Sequence, residues 1–226
     1  MISVLTLTYG RKKLLEEVIF SFLRQNSDSS EMVIINDETC VFYKYDHPNI
    51  KIINLDKRFS SISKKLEWGF GHCKYDYIYR LDDDDLLAPD ALKFVENQIL
   101  QNPGYDVYRN QNHYFFQDNK FIGLKGNVNT GNVYTKNYLS RVNFKDKNFG
   151  EDVDITFGFG AKIHDSTKNP TMIYRWGMKT YHVSGMGDIG NEKTEKWVDR
   201  LIDNNKGEII LLPNFESDYY KMLNNI

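Results

Sequence analysis

Four consecutive carboxylates, Asp82-Asp83-Asp84-Asp85, are the residues of this sequence with the clearest capacity for chemistry. Like charges set side by side repel by roughly 1 kcal/mol per close pair even in water, and by more where the dielectric is lower. Such a run calls for positive charge. A helix N-terminus offers only a partial dipole, whereas a divalent cation that favours hard oxygen ligands, Mg²⁺ or Mn²⁺, offsets several carboxylates at once. The spacing is not that of an EF-hand, which needs a glycine at the sixth loop position and a glutamate at the end. A solvated acidic turn that caps a helix is the alternative, and the apolar run Tyr77-Ile78-Tyr79-Arg80-Leu81 aimed into the acids argues against it. A second acidic pair, Glu151-Asp152, follows Gly150. It can supply a general base, or simply the acid-rich first turn that stabilises any helix. His182 lies near the end of the late strand pattern at Lys179 to Val183, where a lone histidine is most often structural.

The periodicity of the chain places these groups. Ile2 to Leu7 reads as a strand, and the turn Thr8-Tyr9-Gly10-Arg11 leads into a helix with Leu14, Leu15, Val18, Ile19, Phe22 and Leu23 at helical spacing. Strands follow at Glu31 to Ile35 and Ile50 to Leu55, then a helix from Ile62 to Phe70, then the strand entering the acids. Ala88-Pro89-Asp90 opens the next helix, through Leu92, Val95, Ile99 and Leu100. This alternation predicts an α/β fold with a mainly parallel sheet and flanking helices. Ligands of such sheets bind at the carboxyl ends of the strands, so Thr8 to Arg11, Asn36 to Glu38 and Asp82 to Asp85 should converge on one crevice.

Beyond Asn102-Pro103-Gly104 the pattern becomes that of a small antiparallel region, with strands at Tyr105 to Asn110, Asn112 to Phe116 and Phe121 to Leu124. Asn127 to Asn132 reads as a loop, Val153 to Gly160 as a helix, and Thr171 to Trp176 and Lys179 to Val183 as late strands. Glu192 to Asn204 reads as a last helix, followed by an apolar segment at Ile209 to Leu212 and a tyrosine-rich tail. Trp68 and Trp176 are either stacking surfaces for a sugar or base or, as aromatic residues more often are, core.

With 226 residues the chain can build one sizeable core. A net charge of -2 gives no global attraction to nucleic acid or anionic membrane. Cys40 and Cys73 make no disulfide framework, and no apolar run reaches membrane-spanning length, which points to a reduced, cytoplasmic setting with no transmembrane segment.

Four stretches in this order resemble the family 2 glycosyltransferases: Val4 to Arg11, Val33 to Asp37, Tyr77 to Pro89 and Gly150 to Asp154. The resemblance implies a GT-A fold over residues 1–190, with a nucleotide-sugar half to about residue 102 and an acceptor half beyond it. Residues 191–226 then form a helix and tail packed on the same domain. It further implies an inverting, metal-dependent transfer from a nucleoside diphosphate sugar, most commonly a UDP sugar, to an acceptor hydroxyl. Thr8, Tyr9, Arg11, Asp37, Asp82 and Asp83 would bind the nucleotide sugar. Asp82, Asp84 and His182 would hold Mn²⁺ or Mg²⁺, and Asp152 would be the base with Glu151 beside it. Asn36 departs from the aspartate more common at its position. Lys64 and Lys65 fall near a place where the family carries a basic or asparagine residue, but counting back from Asp82 puts that place on Leu66 or Glu67. The acceptor, whether saccharide, lipid-linked saccharide, protein or modified nucleic-acid base, is not specified; a membrane-borne one would be reached peripherally. Two other classes share this architecture, a sugar nucleotidyltransferase and a non-catalytic nucleotide- or glycan-binding module. The single glycine of Tyr9-Gly10-Arg11 argues against the first, and the intact acidic motifs against the second.

Overall fold

The structure, a computed structural model, describes residues 1–27, 29–117, 120–125, 130–166, 169–176 and 203–224. Its first half contains β1 (Ile2–Thr8), α1 (Lys12–Leu23), β2 (Ser30–Asn36), β3 (Val41–Lys44), β4 (Ile50–Asn54), α2 (Ile62–Phe70), β5 (Tyr77–Arg80), β6 (Leu86–Leu87) and α3 (Ala91–Gln101). The second half contains β7 (Val107–Asn110), β8 (His113–Gln117), β9 (Lys120–Lys125), β10 (Val133–Thr135), α4 (Lys136–Leu139), α5 (Glu151–Phe157), β11 (Ile163–Ser166) and β12 (Met172–Trp176). β13 (Gly207–Ile210) and α6 (Tyr219–Leu223) complete it.

A seven-stranded sheet in the order β11-β7-β10-β5-β1-β2-β4 forms the centre. Alternation along its strands explains their unbroken apolar runs, because both faces are covered. Ile2 and Val4 of β1 join Met32 and Ile34 of β2 in a core under α1 and α3. Leu5, Val33 and Ile35 point the other way, into a core with Leu66 and Phe70 of α2, Tyr138 of α4 and Ile155 of α5. β1, β2 and β5 run parallel, with Thr8 opposite Asn36 and Leu5 opposite Arg80, so their carboxyl ends share one edge of the sheet, as predicted.

Several elements differ from the sequence reading. The acids do not run directly into a helix: β6 intervenes, and α3 starts only at Ala91, after Asp90 has turned through a left-handed conformation (φ 56°). Pro89 holds the residue before it out of helical geometry, which delays the helix. α5 lies earlier than Val153 to Gly160. Acids favour its first turn, and Gly158 forms its C-cap, its N–H donating to the Asp154 carbonyl where a Cβ would come within 2.6 Å of that oxygen. The smaller sheet, β6-β12-β8-β9, is mixed rather than antiparallel throughout, because β12 lies parallel to β8. β3 went unread between two turns, and β13 lies parallel to it. The expected strand at Lys179 to Val183, most of the helix at Glu192 to Asn204, and His182 lie outside the described residues. No helix among the described residues is long and apolar enough to cross a membrane.

Candidate active site

The turn after β1 needs Gly10, whose φ of 65° is left-handed. It sets Arg11 over the acids. The Arg11 guanidinium donates from Nε to Asp83 Oδ2 (3.2 Å), from Nη2 to Asp83 Oδ1, and from Nη1 to Asp84 Oδ2 (3.1 Å). Asp83 is fully buried, and burial pushes its carboxyl up to about 6 against the pull of Arg11. Burial also opposes the Arg11 cation, but Asp83 and Asp84 outweigh it and hold the guanidinium charged. Asp83 therefore anchors Arg11. Tyr9, in the same turn, lies under Arg58, whose guanidinium carbon is 4.2 Å from the ring centroid.

At the end of β2, Asn36 serves the backbone. Its amide donates to the carbonyl of Val41 and to Asn54, and its own oxygen accepts from the Glu38 N–H. Asp37 accepts from the Phe59 N–H (3.0 Å) and, in a buried contact, from Lys65. Lys65 also donates to the carbonyl of Thr8 (2.7 Å), tying the ends of β1 and β2 together. Burial lowers its pKa while Asp37 opposes that shift. Lys65, which the motif count set aside together with Lys64, is thus buried between the ends of β1 and β2.

Asp82 is the most open of the four acids, with 32 % of its side chain exposed. It accepts from the Thr130 hydroxyl (3.1 Å) and from Arg80 Nη2 (3.3 Å). Ligand oxygens of Asp82, Asp84 and Asp85 lie within 4.8 Å of one another. Asp85 Oδ1 accepts from the Arg175 N–H (3.0 Å), while its Oδ2 is buried with no partner among the described residues. Burial, then the Asp84 and Asp82 charges, push the Asp85 carboxyl well up. Three arginines supply part of the compensating charge, but Arg80 also faces Glu151 and Arg175 also faces Glu17. Carboxylates still outnumber guanidiniums. Three hard oxygen donors, one of them orphaned, in a net-negative pocket fit a divalent cation of the Mg²⁺ or Mn²⁺ kind. The structure thus adds Asp85 to Asp82 and Asp84.

The second acidic pair divides. Gly150, at φ 67°, starts α5 and sends Glu151 inward, where it accepts from Arg80 Nη2 at 2.8 Å. Asp152 stays half-buried and forms no ion pair among the described residues; its Oδ1 accepts from the Val153 N–H (2.8 Å). Arg80, the last residue of β5, bridges the two acidic stretches through one nitrogen. The sequence reading assigned no role to Arg80, Lys65, Thr130 or Arg175. A single cation inside an otherwise apolar strand was the available signal for Arg80 and Arg175.

Burial raises the Glu151 carboxyl above the ordinary glutamate range against the pull of Arg80. Between about 4.3 and that raised value the folded chain holds a proton that the unfolded chain has released. The resulting stability is fully present below the window and is lost as pH rises through it. Unfolding midpoints of the wild type and of Glu151→Gln, measured from about pH 4 to 7, should show the wild type losing ground to the variant as pH rises. A parallel pair of curves would contradict the burial of Glu151.

A model of the family described as glycosyl transferase family 2 matches residues 3–163. Two uncharacterized glycosyltransferases of Haemophilus influenzae are similar in sequence. One is 29 % identical over 107 residues, covering 46 % of this chain and 36 % of that protein. The other is 27 % identical over 110 residues, covering 45 % and 33 %. The chain thus spans about a third of the length of these curated relatives. Among solved structures, Staphylococcus aureus TarS 1–349 in complex with UDP-GlcNAc superposes with a TM-score of 0.65 at 15 % identity, over 88 % of this chain and 65 % of that one. A further crystal structure of TarS 1–349 gives 0.61 at 15 %, over 77 % of this chain and 60 % of that one. At this identity the likeness concerns the fold, which is the GT-A fold. By the match over most of its length, supported by that fold, the chain belongs to glycosyl transferase family 2.

Proposed function

We propose that this chain transfers a sugar, with inversion, from a nucleoside diphosphate sugar to an acceptor hydroxyl. The observation that carries the reading is the convergence of Arg11, Asp37 and the acidic run at the carboxyl ends of β1, β2 and β5, with the half-open Asp152 linked to them through Glu151 and Arg80. The UDP-GlcNAc in the TarS structure supports a UDP sugar as donor.

In this reading the first two turns hold the nucleotide, with Asp37 and Lys65 shaping the base end and Arg11 facing the diphosphate. Asp82, Asp84 and Asp85 would hold Mn²⁺ or Mg²⁺. Bound there, the ion supplies neutralisation of the charge that grows on the leaving diphosphate. Asp152 accepts the proton of the acceptor hydroxyl as that oxygen forms its bond to the anomeric carbon. The bond from that carbon to the diphosphate oxygen breaks on the opposite face, and the electron pair leaves with the nucleoside diphosphate. Arg80 keeps Glu151 from competing for the proton by holding it in an ion pair.

Proton NMR of the product formed from an α-linked UDP sugar tests this. A β-linked product accompanied by UDP is expected. An α-linked product would contradict inversion, and pyrophosphate released from a nucleoside triphosphate and a sugar phosphate would mark a nucleotidyltransferase instead.

A further inference from the structure

Arg175 lies on β12, outside the span that matches the family model, and its side chain is fully buried. A guanidinium removed from water is costly unless its charge is paired and its N–H groups are bonded. Here both conditions are met by the acidic loop and the elements behind it. Nε donates to the carbonyl of Asp84, and Nη2 lies 3.5 Å from the carbonyl of Asp83. Nη1 pairs with Glu17 of α1 and lies 3.4 Å from the Tyr219 hydroxyl. The backbone N–H of Arg175 holds Asp85 Oδ1 at 3.0 Å.

The two carbonyls belong to the peptide units on either side of Asp84. Holding both units fixes the direction in which the Asp84 and Asp85 side chains leave the backbone. The C-terminal segment completes the arrangement. Tyr219 of α6 packs its ring 5.5 Å from the Arg175 guanidinium carbon, and the Glu216 N–H donates to the second oxygen of Glu17 (3.4 Å).

We propose that Arg175 is a positioning residue for the donor site, and that the segment from Gly207 to Leu223 is part of that site through Tyr219 and Glu17. The inference rests on reading the acidic loop as the donor site. It assigns a role to a part of the chain that the family match does not reach. Lysine at position 175 keeps the charge but has neither the reach nor the planar fork for two carbonyls and a carboxylate together. Its effect should therefore fall on the metal-dependent part of nucleotide binding.

The test measures the dissociation constant of UDP with and without Mn²⁺, by calorimetry, together with the unfolding midpoint, for the wild type and four variants. Arg175→Lys is expected to weaken UDP binding in Mn²⁺ by tenfold or more while changing the metal-free constant little. Tyr219→Phe should shift it in the same direction by a few-fold. Asp106→Asn, which loosens the contacts with Arg141 and the Lys162 N–H just ahead of β7 and far from the acids, should lower the midpoint and leave both constants unchanged. A folded Arg175→Lys with wild-type affinity in Mn²⁺ overturns the proposal. If Arg175→Lys does not fold, wild-type affinity in both Tyr219→Phe and Glu17→Gln overturns it. Absence of UDP binding by the wild type is a distinct result, since it removes the donor reading itself.

Discussion

Asp152→Asn should lower turnover by about 10²- to 10⁴-fold while leaving the affinity for a nucleoside diphosphate nearly unchanged. The size follows from the role: an amide of the same shape cannot accept the acceptor proton, so the loss appears in kcat and not in donor binding. The selectivity follows from the structure. Asp152 is half-buried and takes no part in the ion pairs that hold the acidic loop, so its replacement leaves Arg80, Glu151 and Arg11 in place. Glu151→Gln should behave differently, because Glu151 is the partner of a buried cation. Single-turnover kinetics with a UDP sugar check this. Full turnover in Asp152→Asn would remove it as the base.

The second large effect is on stability. Arg80→Met leaves Glu151 buried beside the charges of Asp152 and Asp82 with no cation to meet it. Removing one partner of a buried pair costs about 3–5 kcal/mol, mostly through the charge left behind. For a chain of this size that is roughly 6–20 °C in the unfolding midpoint. Adding Glu151→Gln to Arg80→Met should recover part of the loss, because the stranded charge is then gone. This double-variant recovery separates the ion pair from simple loss of packing. A wild-type midpoint in Arg80→Met would show that the bridge is not formed.

The sequence made the donor half legible because its signals are local. Parallel strands buried on both faces read as apolar runs, and three acidic or polar turns sit where such strands end, at Thr8, Asn36 and Asp82. What it could not show is which acids turn which way. Asp83 and Asp85 look equivalent to their neighbours in the run, yet one is anchored by Arg11 and the other keeps an orphaned oxygen beside Asp82 and Asp84. That difference is set by Arg11 and Arg175, 72 and 90 residues from the acids they contact. Lys65 was passed over because the motif count lands on Leu66 or Glu67; one position along a helix turns a side chain by about 100°, so Lys65 faces Asp37 while Leu66 enters the core with Phe70. β3 and β13 were missed or incompletely read because each is short and finds its partner across the whole chain.

The central claim is that the acidic loop binds a nucleoside diphosphate with a divalent cation. Thermal unfolding in the presence of UDP, GDP and dTDP and their sugars, with and without Mn²⁺, tests it on the wild type and on Asp84→Ala. At about 100 times its dissociation constant a ligand adds roughly 2.7 kcal/mol to stability, which is readily seen in the midpoint. The account predicts stabilisation by UDP or its sugar that requires Mn²⁺ and is lost in Asp84→Ala. Stabilisation that is independent of the metal, or equal in the variant, would contradict it.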